Sequence, residues 1–198
     1  HLGGIVAAKA GNKVKAAFQG GGTVSALIAC ALEKKMADGA ILTGAEGIEP
    51  VARLVKTTEQ VAANAGSKFI AAPTLSALNQ AVREGQRRLA VVGTPCQMTA
   101  VAQMRMNPLA REDFEDPISL AVGVFCNWAL DHRQLTAYLS ARMDITTIRG
   151  MEIPPPPADV LVVKTGSGKK QFPLKDIRKL IPHTCFICPD MTAEWTDV

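Results

Sequence analysis

The sequence predicts an α/β fold: a mostly parallel sheet flanked by helices, with a β-hairpin and a cysteine-rich segment near the C-terminal end. Short apolar runs alternate with stretches whose apolar residues recur at helical spacing, which is typical of strand–helix units. The last third instead contains two strand-like runs around a Gly-Ser-Gly turn, followed by a Cys-x-x-Cys sequence. A length of 198 residues suits a single domain.

The beginning of the chain has the order expected of a phosphate-binding turn. After a Gly-containing arm over residues 1–13, the apolar stretch Val14–Phe18 predicts a strand. The Gly-rich run Gln19–Thr23 and a helix over Val24–Met36 follow. Free backbone N–H groups and the helix dipole favour an anion at such a helix start. The glycines lack the spacing of a dinucleotide fingerprint, and no Walker lysine follows. A Gly-rich run of this kind more often forms only a flexible turn.

Strands and helices then alternate through the middle of the chain. Apolar runs predict strands at Gly39–Leu42, Val51–Val55, Leu89–Val92 and Ile118–Phe125, and apolar periodicity predicts helices that start near Thr57 and span Thr74–Glu84, Met98–Met106 and Asp131–Arg142. Thr57 is a typical N-cap residue, and Gly85 is typical of the residue that ends a helix. A charged loop is predicted at Arg111–Asp116.

The C-terminal third has a different pattern. Four consecutive prolines, Pro154–Pro157, cannot lie in a central strand and form a rigid spacer. The runs Val160–Lys164 and Lys169–Leu174 flank a Gly-Ser-Gly turn and predict a β-hairpin. Lys175–Leu180 predicts a short helix or turn, and the cysteine-rich segment comes after it.

Composition excludes several classes of protein. The net charge of +4 is spread along the chain and does not indicate nucleic-acid binding. No apolar run reaches the length of a membrane span and no signal peptide is visible, so we expect a cytoplasmic protein without a transmembrane segment. The sequence stops at Val198, at the onset of an apolar element, so we expect a C-terminally incomplete fragment.

Four of the five cysteines form the candidate functional group. Cys96 follows the strand Leu89–Val92 on the turn Gly93–Gln97, and Cys126 ends the next apolar run. Ligands gather outside the carboxyl ends of strands in open α/β sheets. Cys185 and Cys188 form the Cys-x-x-Cys pair near the C-terminal end. We interpret these four as one constellation and assign Cys30, within an apolar helix, to the core.

Three chemistries are open to such a constellation. A 4Fe–4S cluster needs four thiolates, and a Cys-x-x-Cys turn supplies two of them at once. A Cys₄ zinc site uses the same residues but usually has two such knuckles, and buried inert cysteines are also common. Cys96 could instead be a nucleophile at a strand end, although no histidine is evidently placed as its base.

Five motifs together resemble the coenzyme F420 hydrogenase/dehydrogenase beta-subunit family, and they occur in the order of that family. They are Gln19-Gly20-Gly21-Gly22-Thr23, Gly66-Ser67-Lys68-Phe69, Gly93-Thr94-Pro95-Cys96-Gln97, Gly123-Val124-Phe125-Cys126 and Cys185-Phe186-Ile187-Cys188-Pro189-Asp190. The chain departs from the family pattern at Gly20, Ser25 and Phe69, where Ser, Thr and Tyr are usual. By the resemblance, residues 1–65 are the N-terminal part of the family and residues 66–198 the start of its C-terminal part.

The resemblance implies an iron–sulfur flavoprotein oxidoreductase that binds FAD and a 4Fe–4S cluster. Such a protein relays electrons between a redox subunit and a hydride carrier such as coenzyme F420, since a flavin exchanges both electron pairs and single electrons. The partner would be a hydrogenase, a formate dehydrogenase, a heterodisulfide-reductase-like subunit or another redox protein such as ferredoxin. The alternative is a zinc-stabilised binding or assembly module without redox activity.

The same resemblance assigns the candidate site residues, without naming a catalytic residue. The flavin is expected near the Gly-rich turn, the Gly-Ser-Lys motif and the turn before Cys96, at Gln19, Gly20, Gly21, Gly22, Thr23, Ser67, Lys68, Thr94 and Pro95. The cluster is expected on Cys96, Cys126, Cys185 and Cys188. The diphosphate of the flavin would lie at the helix start after Gly22.

Overall fold

The computed structural model describes residues 4–12, 14–16, 20–108 and 114–198. Its centre is a four-stranded sheet of β1 (Gly39–Glu46), β2 (Glu49–Val55), β3 (Leu89–Gly93) and β4 (Ile118–Gly123) in the order β2-β1-β3-β4. The pairs β1–β3 and β3–β4 are parallel, and only the edge hairpin β1–β2 is antiparallel. The predicted α/β class with a mostly parallel sheet is therefore confirmed.

Helices cover both faces of this sheet because successive strand residues point to opposite sides. The helices α1 (Thr23–Glu33) and α2 (Thr58–Ala63) pack on the face that Ala90 and Val122 share. The helices α3 (Thr74–Arg83) and α4 (Pro95–Met106) pack on the face of Val91 and Ala121. Among the described residues, none of the helices has the length and apolar character needed to span a membrane.

A second, antiparallel sheet follows in the chain. It consists of β5 (Ile148–Glu152), β6 (Val160–Thr165) and β7 (Gly168–Pro173), and it packs against α5 (His132–Ser140). Leu135 and Leu139 of α5 are fully buried in this second core. The predicted hairpin is confirmed as β6–β7, whereas β5 was not predicted, because Arg149 and Gly150 interrupt its apolar pattern.

Two helix starts differ in how well the sequence predicted them. Thr57 caps α2 as expected, since its side chain accepts a hydrogen bond from the Gln60 N–H. The helix α4 begins at Pro95, three residues before the predicted start at Met98. The reason is that Gln97 Oε1 accepts a hydrogen bond from the Thr94 N–H, as the third residue of a capping box does. Pro at the first helical position is also favourable.

Other predicted elements near the N-terminus and in the middle loop are corrected or lie outside the described residues. Residues 14–16 are not a strand, and residues 17–19, with Gln19, lie outside the described residues. The same is true of residues 111–113 of the predicted charged loop. The strand predicted to reach Phe125 ends at Gly123.

The C-terminal segment covers the outer edge of β4. The Gly123 N–H donates to the Val198 carbonyl over 2.8 Å, and the Asp197 N–H donates to the Ala121 carbonyl over 2.9 Å. The Asp197 carboxylate accepts the Ala121 N–H over 2.8 Å. A Cβ at Gly123 would lie 2.4 Å from the Ala193 Cβ, so this close approach requires glycine. The short elements before this segment are α6 (Leu174–Ile177), a 3₁₀ turn (Arg178–Leu180) and α7 (His183–Phe186).

The close approach at Gly123 predicts a specific loss of stability. Gly123→Ala should lower the free energy of unfolding by about 1–3 kcal/mol, because the added methyl group overpacks against Ala193. The measurement is urea denaturation. Gly150→Ala in β5 is the matched control, since nothing lies within 4 Å of a Cβ there. Equal unfolding midpoints for Gly123→Ala and the unsubstituted protein would contradict the prediction.

Candidate functional site

The candidate site lies at the carboxyl edge of the parallel sheet, where β3 and β4 end side by side. Gly93 pairs with Gly123 in the parallel register, and just beyond them the Val124 N–H donates to the Gly93 carbonyl over 3.0 Å. Cys96 lies three residues after Gly93, and Cys126 lies three residues after Gly123. Equal offsets from paired strand ends bring both thiols to the same edge.

Cys96 is the second residue of α4, and this corrects the expectation that it lies on a turn. Its side chain is exposed, and its Sγ lies 3.4 Å from the Thr94 hydroxyl oxygen. Pro95 is buried and is the first residue of this helix.

Gln97 fixes this turn to the neighbouring loop. Besides capping α4 through its Oε1, it donates from Nε2 to the Ala72 carbonyl over 2.8 Å. The loop that contains Ala72 runs from α2 to α3 and includes the Gly-Ser-Lys motif. The sequence pattern Thr-x-x-Gln indicates a capping box. No local pattern indicates the second contact of Gln97, with Ala72.

The C-terminal pair of cysteines is held beside Cys126 and α4. Cys185 lies in α7, and Cys188 follows that short helix. The Cys126 N–H donates to the Met191 carbonyl over 3.1 Å. The Thr99 hydroxyl donates to the Asp190 carboxylate over 2.9 Å, and the Cys188 thiol contacts the Asp190 carbonyl at 3.5 Å. These contacts join the C-terminal segment to both other cysteine-bearing segments.

Electrostatics shows that the four predicted thiols are neighbours. Burial raises the pKa of the Cys126 thiol above its usual value, and negative charge on Cys96, Cys185 and Cys188 raises it further. A hydrogen bond from the backbone of Trp128 acts in the opposite direction. All five cysteines are free thiols, and Cys30, half-buried in α1, is not among the groups that shift the pKa of Cys126.

The thiols are nevertheless not at the spacing of a single-ion site. Within the described ranges, no three His, Cys, Asp or Glu side chains are close enough together to hold one metal ion. The structure therefore brings the four cysteines into one electrostatic neighbourhood without bringing their sulfur atoms to a common point. Of the two histidines in the described ranges, His132 pairs with Glu49 over 3.1 Å, and His183 is exposed at the start of α7.

The Gly-rich turn opens α1 as the sequence predicted. Gly22 is the N-cap residue, with a φ of 71° that favours glycine, and no side chain caps this helix. The preceding arm lies against the turn, because the Ala10 N–H donates to the Gly21 carbonyl over 2.7 Å. The Thr23 hydroxyl donates to the Ala8 carbonyl over 3.0 Å. The N–H groups of the first turn of α1 thus lack a side-chain partner, whereas the Thr23 hydroxyl has one within the chain.

Ser67 and Lys68 lie in the loop between α2 and α3. Ser67 is exposed, whereas Lys68 is partly buried and donates from Nζ to the carbonyl groups of Ala65 and Gly66 over 3.2 and 3.0 Å. Burial lowers the pKa of the Lys68 ammonium group. This lysine closes its own loop, a role that the motif alone did not indicate.

Comparison with known proteins identifies relatives over most of the chain. A model of the coenzyme F420 hydrogenase/dehydrogenase beta subunit N-terminal region matches residues 5–79, and a model of its C-terminal region matches residues 86–198. The coenzyme F420-dependent sulfite reductase of Methanocaldococcus jannaschii is 33% identical over 192 residues, which cover 91% of this chain and 30% of that protein.

Two further relatives are hydrogenase components. The coenzyme F420 hydrogenase subunit beta of Methanococcus voltae is 30% identical over 197 residues, covering 91% of this chain and 65% of that protein. A chain in the solved structure of the F420-reducing NiFe hydrogenase complex from Methanosarcina barkeri superposes with a TM-score of 0.76 at 27% identity. That match covers 91% of this chain and 63% of the other. The chain thus spans from under a third to about two thirds of the length of these relatives.

The electrostatic coupling of the thiols predicts a titration result in the metal-free, reduced protein. Cys96→Ser should lower the pKa of the Cys126 thiol, because a neighbouring negative charge is removed, while burial still holds that pKa above its usual value. The measurement is the pH dependence of Cys126 alkylation, followed by peptide mass spectrometry. Cys30→Ser is the matched control and should leave the profile unchanged. A Cys126 profile that does not respond to Cys96→Ser would refute the proximity of these two thiols.

Proposed function

This chain belongs to the coenzyme F420 hydrogenase/dehydrogenase beta-subunit family, and we propose that it is an oxidoreductase component that relays electrons between a hydride carrier and a redox partner subunit. The hydride carrier is coenzyme F420, and the relay consists of FAD and a 4Fe–4S cluster. The observation that carries this proposal is the convergence of Cys96, Cys126, Cys185 and Cys188 from three chain segments at one sheet edge.

Four thiolates are compatible with either a cluster or zinc. Tetrahedral zinc with bonds of about 2.3 Å needs thiolates about 3.8 Å apart. In a cubane each thiolate binds a different iron atom, so the four sulfur atoms lie further apart. Zinc has no redox chemistry, so a cluster is the group that suits an electron relay in a chain of this redox family.

Each cysteine environment contributes to holding and tuning the cluster. At Cys96, the Thr94 hydroxyl lies within hydrogen-bond reach of the sulfur. Hydrogen bonds to the sulfur atoms and the degree of burial set the reduction potential of a cluster. The half-buried Cys126, with its raised pKa, gives up its proton when a metal binds, so cluster assembly at this residue is favoured at higher pH.

The Gly-rich turn is the proposed support for the flavin diphosphate. The uncapped first turn of α1 offers backbone N–H groups, and nothing lies within 4 Å of a Cβ at Gly20. Bound FAD would supply the conversion between two-electron hydride transfer and one-electron transfer. Gly20, Gly21, Gly22 and Thr23 would bind the diphosphate together with Gln19, and Ser67, Lys68, Thr94 and Pro95 would orient the rest of the cofactor.

The names of the relatives support the choice of carrier and of partner class. They are an F420-dependent sulfite reductase, beta subunits of F420 hydrogenases and an F420H2 dehydrogenase subunit. Each couples coenzyme F420 to a different redox reaction. The proposed common role of this chain is therefore the F420 side of the reaction, while the second redox half belongs to a partner such as a hydrogenase or formate dehydrogenase subunit.

The relay predicts that its two half-reactions can be separated. In anaerobically purified protein, Cys185→Ser should lower iron content and decrease electron transfer to a one-electron acceptor by about tenfold or more. Flavin reduction by reduced F420 should persist, because the Gly-rich turn is untouched. The measurements are metal analysis, stopped-flow flavin absorbance and steady-state reduction of ferredoxin.

Cys30→Ser is the matched control for this experiment and should retain both iron and electron transfer. Full transfer to ferredoxin in a Cys185→Ser protein without iron would disprove the relay. Zinc in place of iron in the unsubstituted protein would instead support the alternative of a non-redox assembly module.

The proposed flavin position predicts the effect of a substitution at the start of α1. Gly22→Val should lower flavin occupancy, because a β-branched residue is strained at the positive φ of this position. The measurement is flavin content per folded protein. Gly85→Val is the matched control: Gly85 also has a positive φ, of 81°, and lies at the end of α3 with open space around it. Equal flavin content in both folded variants would count against this placement.

A further inference from the structure

Close to the cysteines, three hydrogen bonds join the three cysteine-bearing segments, and one of these three is made by side chains. The Val124 N–H binds the Gly93 carbonyl, and the Cys126 N–H binds the Met191 carbonyl. The third bond runs from the Thr99 hydroxyl to the Asp190 carboxylate, over 2.9 Å and 91 residues of sequence. Any residue type except proline could form the two backbone bonds, so the third is the one that depends on specific side chains.

We propose that Asp190 and Thr99 form a clasp that positions Cys188 relative to Cys96 for shared binding of one cluster. This inference rests on the proposed 4Fe–4S site, and it assigns a positioning role to two residues that bind no iron themselves. The clasp closes the constellation between α4 and the C-terminal segment, the two segments that no backbone hydrogen bond named above joins directly.

The two ends of the clasp lie very near the thiols that they position. Thr99 is three residues after Cys96 in α4, so both side chains lie on the same side of that helix. Asp190 is two residues after Cys188, whose Sγ contacts the Asp190 carbonyl at 3.5 Å. Because few residues separate each end of the clasp from its cysteine, the hydrogen bond restrains the positions of Cys96 and Cys188 relative to each other.

The bond has the properties of a specific restraint. Both partners are partly buried, and the acceptor is a carboxylate, which makes the hydrogen bond stronger than one between neutral groups. By donating this hydrogen bond, the Thr99 hydroxyl also partly compensates the negative charge of the Asp190 carboxylate beside the cysteines. Loss of the hydroxyl would leave the Asp190 charge less compensated, and loss of the charge would favour electron uptake by a nearby cluster.

The test compares variants that remove the bond with variants that keep it. Thr99→Val removes the hydroxyl at nearly constant volume, whereas Thr99→Ser keeps it. In the anaerobically purified protein, Thr99→Val should release iron to a chelator about fivefold faster or more, and Thr99→Ser should restore the slow rate. Thr192→Val is the matched control, since Thr192 makes a local bond to Glu194 over 3.1 Å in the same segment.

Asp190 provides readouts that a merely structural role would not change. Asp190→Asn keeps an oxygen acceptor but removes the charge, so iron release should stay close to the unsubstituted rate while the cluster reduction potential rises. The double variant Thr99→Val/Asp190→Ala should release iron no faster than the faster single variant, because both changes break one bond. Additive rates in the double variant, or slow iron release in Thr99→Val, would overturn the clasp.

A crosslinking experiment separates failure of the clasp from failure of the proposed function. In the metal-free, reduced protein, a short bis-maleimide should join Cys96 to Cys188, and Thr99→Val should lower the yield about fivefold. If the unsubstituted protein binds no iron but this crosslink depends on Thr99, the cluster proposal fails and the clasp stands. If the protein binds iron and Thr99→Val leaves the crosslink yield unchanged, the cluster proposal stands and the clasp fails.

Discussion

The parallel pairing of β3 with β4 is the interaction on which the rest of the site depends. It aligns Gly93 with Gly123, so the two strands end at the same level and their following segments leave the sheet together. The Val124 N–H continues this alignment one residue past the strand by binding the Gly93 carbonyl. This register brings Cys96 and Cys126 to the same edge, because each lies the same number of residues beyond its strand.

Glycine at both strand ends allows other parts of the chain to pack close to this edge. A Cβ at Gly93 would lie 2.5 Å from the Met98 side chain, and a Cβ at Gly123 would lie 2.4 Å from the Ala193 Cβ. At Gly93 the terminal methyl group of the Met98 side chain fills the space that a Cβ would take. At Gly123 the space admits the C-terminal segment, whose preceding residues carry the last two cysteines.

Gathering thiols at one edge has an electrostatic cost that the surroundings partly offset. Burial and the other three cysteines raise the pKa of Cys126. The Cys126 thiol therefore does not ionise freely without a positively charged partner. A hydrogen bond from the backbone of Trp128 acts in the opposite direction and lowers this pKa. Iron binding would couple loss of these protons to closure of the constellation, which makes the assembled state dependent on the metal.

The sequence by itself determined many of the local elements and indicated the family and the residues of the candidate site. Thr57 and Gly85 marked helix ends, the Gly-Ser-Gly turn marked the β6–β7 hairpin, and the five motifs indicated the family. These features depend on backbone preferences within a few residues or on short motifs, and both are visible in the order of the residues. The strand β5 was not predicted because its apolar pattern is interrupted. Its position in the second sheet is set by antiparallel pairing with β6.

Only the tertiary structure decided which distant residues meet. The bond between Thr99 and Asp190, the packing of the N-terminal arm against Gly21 and the β4 edge contact with Val198 have no local signal. The start of α4 at Pro95 also placed Cys96 in a helix rather than on a turn. Such contacts follow from strand register and from the packing of whole segments, which depend on many weak interactions across the chain rather than on neighbouring residues.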